Sequence, residues 1–130
     1  MSRAVPLCSL ICLLLASCAE PAPAETLLDL ISDAGLLEAH VHFAGPVERG
    51  DNELLVELTP TSGAGEPRLL AVSAVMPVHA HEARAGKIER TALGFRASEL
   101  NLFMTGRWQV ELTLELAGSG DSVSLPVDVP

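Results

Sequence analysis

Residues 100–116, LNLFMTGRWQVELTLEL, contain the clearest fold signal in this chain. From Trp108 to Leu116 every second side chain is apolar and those between are polar, which is the period of a strand with one buried face. The preceding run also alternates, with Leu100, Leu102 and Met104 on one face, and the turn 105–107 separates the two runs. This stretch therefore predicts a β-hairpin, with Trp108 as a core anchor.

The same alternation recurs on both sides of this hairpin. It places Val41 and Phe43 inward, then Leu54 and Val56, and it returns in the last run, 123–129. Residues 68–76 are apolar on both faces, which indicates a central strand covered on both sides, and Pro77 ends it. Residues 81–94 are polar and predict a loop with one short strand around 87–91.

About seven short strands at regular spacing, with hardly any helix, predict an all-β fold. The expected architecture is an immunoglobulin-like β-sandwich of about seven strands, which is made of two antiparallel sheets. Residues 26–35 leave two interpretations open, a helical turn beginning at Thr26 and stopping at Gly35, or a partly ordered linker.

Length and charge limit the function classes. A chain of 130 residues forms one small domain with a modest core. Its formal charge of −9 and pI near 4.7 argue against nucleic acid as a partner, because no basic cluster is available to contact phosphates. The sequence shows no Ser/His/Asp arrangement, no glycine-rich phosphate loop and no paired inward carboxylates, so we do not expect an enzyme.

The N-terminus resembles a bacterial lipoprotein signal. Residues 1–17 carry Arg3, then an apolar run, and end in Leu15-Ala16-Ser17 directly before Cys18. We expect cleavage before Cys18, lipidation of its thiol, a linker over 18–35 and a folded domain over 36–130. An uncleaved anchor, or an ordinary signal in which Cys18 is incidental, is the alternative.

The lipid on Cys18 would attach the domain to a membrane in the cell envelope, on the extracytoplasmic (periplasmic) side. Each buried methylene of an acyl chain contributes about 0.8 kcal/mol to such an anchor. Ala19 carries no acidic retention signal, so the outer membrane is the expected destination in a cell with two membranes.

The candidate metal ligands cluster at the end of the apolar run 68–76. In an extended strand His79 and His81 would lie on one face with Cα atoms about 6.5–7 Å apart, close enough to share one ion. Imidazoles bind copper, and thioethers such as those of Met76 and Met104 select its cuprous state. The sequence thus suggests a copper site, while the alternative is that both methionines are core fillers.

His40 and His42 form a second pair with the same spacing, on the outward side of the first predicted strand. They are weaker candidates, because an isolated pair of imidazoles without a carboxylate or thiolate holds a metal weakly. Whether this pair meets His79 and His81 depends on the strand order. If it does not, exposed polar residues are the simpler interpretation.

Two motifs carry a family resemblance, M-P-x-H-x-H at 76–81 and M-x-G-x-W at 104–108. With the strand order around them, they make residues 36–129 similar to the YtkA-like domain family, which is related in plan to FixH-type proteins. The resemblance implies an exported or membrane-attached immunoglobulin-like domain with a role in copper handling. Relatives often have a glycine between the two histidines, whereas this chain has Ala80, which makes the local turn less free.

Two functions from different classes follow. The first is a copper-binding accessory or chaperone-type lipoprotein that passes the metal to, or takes it from, a copper-handling protein of the envelope. The second is a protein-interaction or scaffolding domain of an envelope complex, in which residues 76–81 form only a structural corner.

Overall fold

The computed structural model describes residues 28–130, which form nine strands and no helix. The predicted signal, Cys18 and the linker up to residue 27 lie outside the described residues. The strands are β1 (Leu28–Ile31), β2 (Leu37–Phe43), β3 (Gly50–Pro60), β4 (Pro67–Met76), β5 (His81–Arg84), β6 (Lys87–Arg90), β7 (Phe95–Leu102), β8 (Gly106–Leu116) and β9 (Ser119–Val129). Within residues 28–130 no helix has the length and apolar character needed to cross a bilayer.

The strands form two antiparallel sheets that share one core, as expected of a β-sandwich. The first sheet has the order β1-β2-β3-β7-β6 and the second the order β5-β4-β8-β9. Inward side chains of both sheets belong to one buried cluster, whose largest fully buried members include Trp108, Leu37, Leu54, Leu100 and Leu112. The all-β prediction is confirmed, with nine strands in place of about seven.

Strand β8 forms where it was predicted, because its alternation has a single physical cause, burial of one face. The predicted hairpin with the preceding run is wrong, since β7 pairs with β3 and β6 in the first sheet whereas β8 belongs to the second. All five predicted inward positions from Trp108 to Leu116 are buried, at 8% exposure or less. The strand pairs with β4 on one side and, through all of its residues, with β9 on the other. It is therefore the central support of the second sheet.

Two of the nine strands come from segments that were expected to be loop or linker. β1 pairs with β2 from Leu28 onward, so folded structure begins before the predicted boundary at residue 36. Its residues alternate with period two, since Leu28 and Leu30 pack against the core while Asp29 and Ile31 point outward. A helical turn over this stretch is wrong.

The other unexpected strand is β5, which pairs with β4 in the second sheet. Two residues connect it to β6, which pairs with β7 in the first sheet. The chain thus crosses between the sheets along one edge of the sandwich.

The prediction that residues 68–76 are covered on both sides is wrong. β4 lies between β5 and β8, and its inner side chains are buried. On its outer face Leu70 and Val75 are 43% and 39% exposed. The apolar residues of this face therefore point to solvent in the part of the chain that the structure describes.

A bulge in β7 sets the direction in which the chain enters the β7–β8 loop. Between Ala97 and Leu100, β7 contains one residue more than the paired segment of β3, and Glu99 has a φ of +60°. The bulge moves the inward side from Phe95 and Ala97 to Leu100 and Leu102. Phe103 follows directly, with 43% of its surface exposed.

At the other end of the sandwich, Asp121 joins the start of β9 to the turn between β1 and β2. Its carboxylate accepts hydrogen bonds from the Ser32 hydroxyl at 2.5 Å and from the backbone amides of Ala34, Leu36 and Ser122 at 2.8, 3.2 and 2.8 Å. Burial alone would raise the pKa of this carboxyl, but the four hydrogen bonds outweigh burial and hold the pKa below its ordinary value.

Candidate metal centre

Of the two central histidines, His79 lies on the four-residue loop that connects β4 to β5 and His81 is the first residue of β5. Met76 and His81 are paired at the base of this hairpin, and the backbone N–H of His79 donates to the carbonyl of Met76 at 3.2 Å. Ala80 completes the turn with a φ of +53°, in the left-handed region. The extended conformation for which the two histidines would share one face is therefore absent, because His79 lies in the turn and His81 begins β5.

The turn nevertheless brings the two imidazoles together. Their ring centroids are 5.9 Å apart, with 33° between the ring planes. An ion bound to a ring nitrogen lies about 3.2 Å from the ring centroid, given a metal–nitrogen bond of about 2.0 Å. Two rings sharing one ion can therefore have centroids up to about 6.4 Å apart. The observed spacing of His79 and His81 lies within that limit.

Accessibility also suits binding from solution. His79 is exposed and His81 is partly buried, so an ion reaches the pair without opening the core. Val78, beside them on the loop, is 85% exposed. The pair thus forms an open site at the end of the second sheet.

A chain of aromatic rings connects the histidines to the core. The ring of His81 contacts that of Phe103 in an edge-on arrangement, with centroids 5.4 Å apart and 70° between planes. Phe103 contacts Trp108 in the same manner, at 5.4 Å and 79°. Trp108 is fully buried, and its indole N–H donates to the carbonyl of Met104 at 3.0 Å. This bond holds the β7–β8 loop against the start of β8.

Both predicted methionines lie at this end of the molecule, but they differ in accessibility. Met76 is 3% exposed and belongs to the core. Its terminal methyl lies 3.4 Å from the position that a Cβ atom would occupy at Gly106. Met104 is partly buried and packs against the edge of the core. Met104 is therefore the more accessible of the two thioethers.

The second histidine pair lies on the outer face of the first sheet. His40 and His42 point outward from β2, whereas His79 and His81 belong to the hairpin at the edge of the second sheet. The strand order thus separates the two pairs into different sheets. Among residues 28–130 no group of three or more His, Cys, Asp or Glu side chains is arranged to hold a metal ion.

His40 is engaged by carboxylates. Its Nδ1 bonds to the carboxylate of Asp29 on β1, and its Nε2 lies 3.8 Å from Glu38. The hydrogen bond to Asp29 is the main cause of a raised His40 pKa. His40 is therefore one member of a surface ion pair, with Asp29 as the other.

Sequence reasoning did not identify Phe103 as part of the site. The available signal was its spacing to Trp108, because two aromatic residues that flank a tight turn can meet across it. Its contact with His81 follows only from the position of β5 beside β4, and β5 was not expected.

Searches of protein-family models, of curated proteins and of solved structures found no match to this chain.

Proposed function

We propose that this protein is a copper-binding accessory or chaperone-type lipoprotein, held on the extracytoplasmic side of a membrane. The observation that carries the copper proposal is the pair of solvent-accessible imidazoles, His79 and His81, with centroids 5.9 Å apart. Imidazoles bind copper, and two of them close enough to share one ion supply a minimal site for it. The role is binding and transfer of the ion, not catalysis.

The proposed fold assignment is an immunoglobulin-like domain of the YtkA-like type. The two antiparallel sheets support it, together with the motifs at 76–81 and 104–108. Both motifs lie at the same end of the sandwich, where their aromatic side chains touch through Phe103.

The proposed anchor is a lipid on Cys18. Its support is the sequence Leu15-Ala16-Ser17-Cys18 after an apolar run. Cys18 stands ten residues before Leu28, so an extended tether reaches at most about 35 Å. Incorporation of labelled palmitate into the chain tests this anchor, since Cys18→Ser abolishes labelling if Cys18 is the acylated residue. Equal labelling of the variant refutes it.

In the proposed site His79 and His81 supply the first two donors, and Met104 is the better placed of the two thioethers for a third. Thioethers favour cuprous over cupric copper. Met76 is buried, so its contribution is packing, as expected for a methionine in a core.

A second function, in protein interaction or scaffolding within an envelope complex, has one specific observation in its favour. Val78 and Phe103 expose 85% and 43% of their surfaces around the histidine pair. Large contiguous apolar patches mark surfaces that bind other proteins, so in this proposal a partner would dock on these two side chains. A partner recovered by crosslinking in cells, from a protein that carries no metal, would favour this function.

Copper titration of the full chain in detergent tests the proposal. Replacing Cys8, Cys12 and Cys18 by serine removes the thiols as competing ligands. In this background His79→Ala combined with His81→Ala should abolish high-affinity copper binding. The matched control, His40→Ala with His42→Ala, removes as many imidazoles from the other sheet and should leave affinity unchanged. Equal affinity in both double variants contradicts the proposal.

A further inference from the structure

The feature behind this inference is the position of Phe103 between the candidate ligand His81 and the buried Trp108. Phe103 is 43% exposed, and its ring has a defined contact on each side. Both contacts have the edge-on geometry that aromatic rings prefer. Phe103 thus connects a surface imidazole to a fully buried side chain of the core.

The contact with Phe103 restricts the imidazole of His81. A free histidine side chain loses rotamer freedom when it binds an ion, and a ring already held in place loses less. The support on the far side is firm, because Trp108 is fully buried and its N–H is bonded to the Met104 carbonyl. His79 has no ring contact in the described residues other than that with His81, so the restraint acts mainly on His81.

The apolar ring also affects which ion the pair prefers. Cupric ions take four ligands of nitrogen and oxygen in a tetragonal arrangement, which at an open pair of imidazoles would include water. A phenyl ring beside the pair disfavours those waters, whereas a cuprous ion needs fewer and softer donors. Aromatic faces also attract cations within about 6 Å of the ring centroid.

We propose that Phe103 is a positioning and specificity-determining residue, which orients His81 and favours cuprous over cupric copper at the pair. This inference rests on the proposed copper function. It assigns a role to a residue that does not itself coordinate the ion.

The test compares Phe103→Leu with Phe103→Tyr in the full chain, in detergent, with the three cysteines replaced by serine. Affinity for Cu(I) is measured by competition with a chromophoric chelator under reducing conditions, and affinity for Cu(II) by competition in air. An edge-on aromatic contact is worth about a two- to tenfold change in an equilibrium constant. Phe103→Leu should therefore weaken Cu(I) binding about two- to tenfold. Cu(II) binding should change less, because the lost orientation of His81 is offset by easier access of water to the ion, while Phe103→Tyr should retain both affinities.

Leu93→Ala is the matched control, because Leu93 is a 78% exposed apolar side chain in the turn between β6 and β7. It should leave both copper affinities unchanged. Phe103→Ile also removes the ring without introducing a donor atom, and it replaces the leucine variant if that one does not fold.

Three results overturn the inference, and they are distinguishable. Unchanged Cu(I) affinity in Phe103→Leu refutes the role of Phe103 alone. Equal losses for Cu(I) and Cu(II) refute the specificity and indicate a structural role. Absence of copper binding by the histidine pair of the parent protein refutes the proposed function, and this inference with it.

Discussion

Replacing Ala80 by glycine should stabilise the protein. Ala80 has a φ of +53° in the turn between the two histidines, and its exposed methyl makes no core contact. A residue with a Cβ carries a cost of about 1–2 kcal/mol in this conformation. Glycine removes that cost but gives the unfolded chain extra freedom, which offsets about 0.4–1 kcal/mol. The expected net gain in the free energy of unfolding is about 0.5–1 kcal/mol.

Urea unfolding followed by Trp108 fluorescence measures this gain, since Trp108 is the sole tryptophan and is buried. The matched control is Ala92→Gly. Ala92 is also exposed in a turn but is not among the residues with positive φ, so the same substitution should destabilise by about 0.4–1 kcal/mol. The two changes should have opposite signs. A loss of stability in Ala80→Gly equal to that in Ala92→Gly would refute the reasoning.

Three further predictions concern other contacts. Asp121→Ala leaves four donors unpaired and should lower the free energy of unfolding by about 2 kcal/mol in urea at neutral pH. The folded-state pKa of Asp121 is lowered, so its stabilising contribution is present above the ordinary aspartate pKa and is lost as the pH falls through the folded value. The variant should therefore differ less from the parent in acid. An equal difference in stability at neutral and acidic pH would contradict this. Asp29→Asn should return the raised His40 pKa toward its ordinary value in an NMR titration. Since that pKa is raised, the pair stabilises the fold below the ordinary histidine pKa and loses its effect as the pH rises through the folded value. An unchanged His40 titration would exclude the ion pair. Ala117→Asn should raise the urea midpoint of unfolding. Residue 117 has a φ of +50° in the two-residue turn between β8 and β9, where asparagine before glycine is favoured. A lowered midpoint would count against this turn.

The sequence predicted the fold where a segment has one buried face. The alternation from Trp108 to Leu116 arises from burial alone, so periodicity was enough to place β8. β5 was missed because its four residues, His81–Arg84, contain no large apolar side chain, and only pairing with β4 makes them a strand. The outer face of β4 was misjudged because apolar residues on both faces of a strand do not reveal whether the second face is covered.

The candidate site was predictable only in part. The proximity of the His79 and His81 rings was argued from an extended backbone, whereas in the structure a left-handed residue, Ala80, stands between them and the ring centroids are 5.9 Å apart. The role of Met76 depends on depth in the core, which the local sequence does not encode. Phe103 was missed because its contact with His81 depends on the position of β5 beside β4, and β5 was not expected.

The most direct test of the copper proposal is an X-ray absorption spectrum of the full chain loaded with one equivalent of Cu(I), with Cys8, Cys12 and Cys18 replaced by serine. The account predicts two imidazole nitrogens at about 2.0 Å from the copper. That imidazole signal should disappear when His79 and His81 are replaced by alanine. A spectrum without imidazole, or one that the double replacement leaves unchanged, would contradict the claim that these two residues bind the metal.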